Sequence, residues 1–327
     1  MRYRDVLLFA TTGWDPTWER RLSARARAVW ATVVSLLSAV FGAAALLAWL
    51  YLPADQRWMP FLLAGLWLVI VGVVQVLVRR EVLRRIDVEA DQIAAREIQT
   101  RLLPADLPRT SGVDLAARYS PFREIGGDFY EVAPLDDRRW LIAMADVSGK
   151  GTGAALLTAN LQALVHFAHA NAPSLEEAMA AINTHLVRFS PPGRFATMVL
   201  GIFDVERRRL RYINAGHNPP LGVTASGTVL RLPATGLPLG MLAHSTYVAA
   251  EVDLPPGTTC LFYTDGLVER ANRTDEFYGE ERILTALRGL SEVPAAEILK
   301  ALVADTDRFA RGVEPTDDIA LLLVRSC

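Results

Sequence analysis

Two long stretches without a single charge constrain the N-terminal quarter of the chain before anything else is considered. Residues 28–54 and 58–78 contain no Asp, Glu, Lys or Arg, and each reaches the ~20 apolar residues that a helix needs to cross a bilayer. Two core helices of a soluble domain would each keep a polar face, which neither run has. A cleaved signal peptide does not fit either: the first run is too long, its basic leader is long, and a second span follows at once. Only PADQRW separates the runs, with Pro53 ending one helix and Trp58 suited to an interface. The reading is a transmembrane hairpin over 28–78, with helices at about 28–52 and 58–78, in contact with membrane lipid.

Basic residues set its orientation. Arg20, Arg21, Arg25 and Arg27 precede the first span, and Arg79, Arg80, Arg84 and Arg85 follow the second. By the positive-inside rule both ends are cytoplasmic, which makes residues 1–27 a short cytoplasmic segment and the chain multi-pass. Ser38, Gly42, Ala45, Gly65 and Gly72 would let the two helices approach closely. The outer loop is too short to form a ligand-binding domain.

With 327 residues, the chain has room for roughly two domains by the usual ~100–200 residues each. A formal net charge of −2 gives no global bias toward nucleic acid, and none is expected as a partner. Cys260 and Cys327 are the only cysteines. That is too few for a disulfide scaffold or a cysteine-built zinc site, and it fits a reducing compartment.

Residues 79–103 contain no Gly or Pro and are rich in helix formers, and Pro104 ends them. Ile86, Ala90, Ile93, Ile98 and Leu102 lie roughly along one face without forming a strict heptad. Two readings stay open: an amphipathic helix packed on its own domain, or a signalling helix that forms a homodimer through 79–103 and links membrane to catalytic domain. Beyond Pro104 the texture changes to short alternating strands and longer helices, defining a domain over 104–327. Strands are expected at 113–119, 129–135, 138–147, 195–205, 209–215, 222–232 (a hairpin), 258–266 and 318–324. Helices are expected at 152–169, 174–189, 282–290 and 294–310. Neighbouring strands connect mostly by hairpins, so the class is α+β with antiparallel sheets covered by helices.

Aspartates in this domain recur at strand ends, usually beside glycine: Asp128 in EIGGDFYE, Asp146 in IAMADVSGKG, Asp265 in LFYTDGLVE, and Asp317 with Asp318 in PTDDIALLL. Any one alone reads as a turn former or cap. Together they suggest a converging acidic cluster, and carboxylates resist such crowding at the lip of a core strand unless a cation joins them. No histidine or cysteine accompanies them at ligand spacing, so all-oxygen coordination points to Mg2+ or Mn2+ rather than zinc. ADVSGKGTG lacks the spacing of a nucleotide-binding phosphate loop.

In this order, AREIQTRLLP, EIGGDFYE, ADVSGKGTGAALLTA, NAGHNPPL, GLPLG, YTDGLVERAN and PTDDIALLL closely resemble the metal-dependent PPM-type serine/threonine phosphatases. Within them they look like the bacterial branch typified by the stage II sporulation E phosphatase and the stress-response phosphatases of partner-switching pathways. The resemblance covers residues 92–326. It implies an antiparallel β-sandwich flanked by helices and two bound Mg2+ or Mn2+ ions. It makes Asp146 the carboxylate that bridges both ions, with the backbone carbonyl of Val147 on one of them. Asp265 and Asp317 would hold the other, Asp128 would lie at the second ion directly or through water, and Asp318 would support.

The resemblance also implies water-based hydrolysis of phosphoserine or phosphothreonine in a protein, by analogy a small anti-sigma-factor antagonist, at the bacterial cytoplasmic membrane. No protein nucleophile is needed, so Ser148 reads as a turn residue, and His217 reads as part of a rigid loop. Eukaryotic relatives hold phosphate with an arginine near the N-terminal strand; Arg118 and Arg123 are the nearest here, and neither matches that pattern. Two readings of other classes stand beside this one. The first is a catalytically silent membrane receptor or scaffold, disfavoured because every expected carboxylate is present. The second is a Mg2+-dependent nucleotide-cleaving enzyme, for which no base or sugar pocket motif appears.

Overall fold

The computed structural model describes residues 24–104, 107, 112–122, 125–288, 290 and 292–327. Arg20, Arg21 and Arg123 lie outside them, as does most of the segment read as N-terminal, and nothing is described of the side chains of Ile86 and Ala90. The chain divides into two compact units, one ending at Asp91 and one running from Gln92 to Cys327.

In the first unit, α1 (Ala24–Tyr51) and the first part of α2 (Met59–Leu102) are joined by a 3-10 turn at Ala54–Gln56. The turn is tied locally, with the Trp58 indole donating to Asp55 O at 2.9 Å. Phe41 and Trp67 stack across the helix pair with ring centroids 4.8 Å apart. Segments Thr32–Tyr51 and Ala54–Val78 are long and apolar enough to span a bilayer. Apolar side chains such as Leu36, Val40, Leu47, Leu62, Leu66 and Val69 point outward on them, a surface that water would disfavour over so large an area. Helix α2 continues without a break from the second span to Leu102.

The second unit is built on two five-stranded sheets. The first is ordered β1 (Val113–Ser120), β10 (Ile319–Ser326), β9 (Thr259–Tyr263), β6 (Leu221–Val223), β7 (Val229–Arg231). The second is ordered β2 (Asp128–Pro134), β3 (Arg139–Val147), β4 (Ala196–Asp204), β5 (Arg209–Ala215), β8 (Ala250–Asp253). All pairings between them are antiparallel.

Strand alternation distributes the core. On β3, Ile142 and Met144 face the other sheet and meet Phe262, Leu322 and Val324. Leu141, Ala143 and Ala145 face the opposite way, onto α3 (Thr152–Asn171) and α4 (Leu175–Phe189). On the outer side of the first sheet, Leu261, Leu321 and Leu323 pack on α5 (Asp265–Val268), α6 (Gly279–Leu287) and α7 (Ala295–Ala310). The result is the helix-sheet-sheet-helix sandwich expected from the sequence. Ser174 caps α4 by accepting from Glu177 N at 3.2 Å.

Three local differences stand out. Strand β8 was not expected, because AEVD is short and lies at a sheet edge with half its residues exposed. The segment read as one strand over 258–266 stops at Tyr263, and Asp265 opens the one-turn helix α5. Helix α6 begins at Gly279 and ends at Leu287, about a turn earlier than the expected 282–290.

Candidate functional site

Four chain segments bring carboxylates to one end of the sandwich. Asp128 is the first residue of β2 and lies directly opposite Asp146, near the end of β3. Asp265 follows β9, and Asp317 and Asp318 precede β10, its neighbour in the other sheet. The groups act on one another across the sheets. Burial, followed by the repulsion of Asp265, pushes Asp146 up to about 7. Burial and the charge of Asp317 raise Asp265 to about 6. Asp128, 3% exposed, is driven well above the carboxylate range by burial and then by Asp146.

Glycine makes the arrangement spatially feasible. A Cβ on Gly127 would stand 2.8 Å from the carbonyl oxygen of Val147, so only glycine lets the chain entering β2 pass this close to the end of β3. The Thr158 hydroxyl then donates to Gly127 O at 2.6 Å.

The aspartate doublet divides its labour. Asp318 turns inward, accepting from Phe122 N at 2.7 Å and Gly127 N at 2.6 Å. Both carboxylate oxygens are thus committed to pinning the Gly126-Gly127 turn. Asp317 stays partly open, and the Lys150 ammonium sits 2.7 Å from its Oδ2. Lys150 also donates to Thr316 O at 2.6 Å. The sequence pattern does not single out Lys150, which meets this carboxylate from the glycine-rich turn after Asp146.

His217 uses both ring nitrogens internally: Nδ1 lies 2.8 Å from the Thr197 hydroxyl and Nε2 3.1 Å from Tyr263 O. Burial holds it down to about 4, so it is a neutral staple between β4 and β9. Ser148 is likewise structural, its hydroxyl accepting from Phe195 N at 3.0 Å. Arg118 is exposed, and by strand alternation it points to the face opposite Tyr119, whose ring lies beside the carboxylates.

The donor set fits divalent cations. Asp128 Oδ2 is buried with no hydrogen-bond partner, a costly state that an ion would relieve. The ammonium on Asp317 shows that this position already holds positive charge. Among the described residues no three Asp, Glu, His or Cys side chains form a ready-made cage. Each ion would therefore rest on few protein oxygens with water completing the shell, as Mg2+ tolerates.

One consequence can be measured without substrate. An acid whose pKa rises on folding binds extra protons in the folded state, so its stabilising contribution is complete at low pH and is lost as pH rises through the folded value. For Asp265 and Asp146 that window runs from the ordinary value of 3.8 up to about 6 and about 7. In chelator, the melting temperature is expected to fall from about pH 5.5 to about pH 8, and added Mg2+ or Mn2+ should raise it more at the higher pH. Melts that rise over this range, with equal metal effects at both ends, would contradict the clustered geometry.

Comparison with known proteins agrees with this construction. The family model described as stage II sporulation protein E matches residues 136–326. The chain is 28% identical over 256 residues to protein IcfG of Synechocystis sp., covering 70% of this chain and 40% of that one. It is 26% identical over 234 residues to the phosphoserine phosphatase RsbP of Bacillus subtilis, covering 70% and 56% respectively. The chain thus spans 40% and 56% of the lengths of these two relatives. The SiaA-PP2C domain of Pseudomonas aeruginosa superposes with a TM-score of 0.66 at 24% identity, over 75% of this chain and 99% of that one. That likeness identifies the sandwich as a PP2C fold. Since the family match takes in more than half of the residues, the carboxylate-bearing strands β3, β9 and β10 among them, the chain belongs to the stage II sporulation protein E family of PPM-type phosphatases.

Proposed function

We propose that the chain is a membrane-anchored protein phosphatase that hydrolyses phosphoserine or phosphothreonine, with a small anti-sigma-factor antagonist as its substrate. The observation that carries the reading is the cluster itself: Asp128, Asp146 and Asp265 raised together by burial and mutual repulsion at one end of the two sheets. Such a concentration of unrelieved charge is unfavourable for a fold and useful for a metal-dependent hydrolase. Asp146 would hold both ions and the Val147 carbonyl one of them, Asp265 and Asp317 would hold the other, and Asp128 would lie at the second ion directly or through water. When bound, two divalent cations supply an activated water and neutralise charge on the phosphoryl oxygens.

The chain's own residues prepare that chemistry. Asp318 fixes the Gly126-Gly127 turn so that Asp128 stays opposite Asp146. His217 and Thr197 keep β4 in register with β3 beneath Asp146. Lys150 pairs with Asp317 and offsets part of the cluster's negative charge, a place that an ion on Asp317 would take over.

The anchor reading rests on the two apolar helices and on the arginines flanking them. It places both termini and the catalytic domain on the cytoplasmic side, with residues 79–103 as the connecting helix and 104–327 as the domain. The relative named a phosphoserine phosphatase supports the substrate class.

Chelation is expected to abolish hydrolysis of a model phosphate ester, with Mn2+ or Mg2+ restoring it and Zn2+ failing to do so, because the ligands are all oxygen. Full activity in excess chelator would remove the two-metal reading.

A further inference from the structure

The site as described lacks a group to hold the substrate's phosphoryl oxygens, and the described basic residues near it narrow the choice. The Lys150 ammonium is taken up by Asp317 and Thr316 O. Arg118 points from the opposite face of β1. Arg270 is buried, and its guanidinium donates to Val313 O.

Arg194 differs from all of these. It lies in the loop between α4 and β4, and its Nη1 donates to Ser148 O at 2.6 Å, two residues beyond Asp146. Among the described residues no carboxylate pairs with it. The remaining donors of its fork are therefore not taken up by any described carboxylate, on a turn that starts two residues from Asp146.

Its position is built into the backbone. Ser148 N donates to Phe195 O at 2.9 Å and Phe195 N donates to the Ser148 hydroxyl at 3.0 Å, so this loop is zippered to the turn after Asp146. Arg194 N closes a turn on Pro191 O at 3.1 Å; Pro191 and Pro192 restrict that turn, and Gly193 supplies its left-handed φ of +77°. Gly149 has φ +96, and a Cβ there would run into the guanidinium. Glycine thus supplies both the turn and the space.

We propose that Arg194 is the phosphate-binding residue of this site, its free edge donating to phosphoryl oxygens while Nη1 holds the Ser148 carbonyl. The inference rests on the phosphatase reading and adds a residue that the sequence pattern did not single out. A planar fork suits two phosphoryl oxygens at once, which a lysine cannot match. Because the loop is held by three hydrogen bonds, little ordering remains to be done when phosphate binds.

The test uses the full-length, Mn2+-loaded protein and its Arg194→Gln and Arg194→Lys variants. Inorganic phosphate binding is measured by calorimetry, KM and kcat with p-nitrophenyl phosphate, and Mn2+ affinity separately. Arg194→Gln is expected to weaken phosphate binding about 10–100-fold, the usual range for a charge-assisted pair. Mn2+ affinity should stay within about twofold, and Arg194→Lys should recover part of the phosphate affinity but not all of it.

Unchanged phosphate binding in a folded, Mn2+-loaded Arg194→Gln protein overturns the assignment. So does a loss that merely tracks lost Mn2+ affinity, or failure of both variants to fold; either makes Arg194 a brace for the Asp146 turn. Wild-type protein that neither binds phosphate nor hydrolyses the ester in Mn2+ overturns the phosphatase reading, and this assignment with it. Wild-type protein that does both confines any failure to Arg194.

Discussion

Asp146→Asn is expected to reduce turnover more than ~100-fold, beyond the ~10–100-fold that residues outside the ligand shell typically carry. The substitution keeps shape and removes charge at the position proposed to touch both ions. It should also stabilise the metal-free protein at neutral pH, because Asp146 is held near 7 by burial and by Asp265, and an amide feels neither penalty. For a domain of this size each kcal/mol relieved is worth ~2–4 °C in melting temperature. An inactive variant that melts higher in chelator than wild type separates lost chemistry from lost fold. Asp265→Asn and Asp317→Asn should be nearly as severe in activity.

Asp318→Asn is the internal control. Its carboxylate accepts two backbone N–H groups, and an amide can accept only one of them while turning a donor on the other. The Gly126-Gly127 turn should loosen, with a loss inside the ~10–100-fold supporting range and a lower melting temperature. If Asp318→Asn proved dead while Asp317→Asn stayed active, the two roles would be exchanged and the register of the C-terminal motif wrong by one residue.

What could be read from the sequence, and what could not, follows from the range of the interactions involved. Near-continuous apolar runs identified β3 and β10, because each buries both of its faces, one in each of two layers. The aspartates were legible because each interrupts such a strand end. Strand β8 carried no comparable signal, since an edge strand with exposed residues looks like a loop. Asp265-Gly266 read as the end of a strand and instead start a helix, where Gly266 packs against Asp318 and Ile319.

Lys150, Arg194 and Gln99 could not be assigned. Their partners lie 167, 46 and 27 residues away in sequence, and no local pattern marks a polar side chain whose partner is so distant. The Asp317-Asp318 doublet was legible as a pair, and it was the family resemblance, not any local pattern, that gave Asp318 the supporting place; its carboxylate accepts from Phe122 N and Gly127 N.

Gln99 is the ground for expecting that α2 controls catalysis instead of only tethering the domain. Its side-chain amide clasps the Gly126 peptide from both sides, donating to Gly126 O at 2.7 Å and accepting from Gly126 N at 3.1 Å. Three residues on, Leu102 O accepts from Gln162 of α3 at 2.6 Å, and Gln162 is also tied to the buried Glu131. The last turn of α2 therefore holds both the approach to Asp128 and the helix that follows the Asp146 turn. A cavity of about 430 Å³ lined by Arg96, Gln99, Thr100, Leu103, Tyr119 and Tyr130 lies beneath this turn.

Residues 79–103 contain no Gly or Pro, so the sequence offers no flexible Gly/Ser linker between the proposed membrane hairpin and the domain. Ions held by few protein oxygens bind weakly, so a small shift of Gly126 should register first as metal affinity. Gln99→Ala is expected to weaken Mn2+ binding about tenfold while leaving kcat at saturating metal within about twofold, which is the signature of a shifted population and not of damaged chemistry. A protein beginning near Val82 should self-associate more than one beginning near Ala105, and the two should differ in Mn2+ requirement or rate on the same phosphoprotein. Equal mass, metal titration and turnover in that pair, together with an unaltered Mn2+ affinity in Gln99→Ala, would reduce the helix to a spacer.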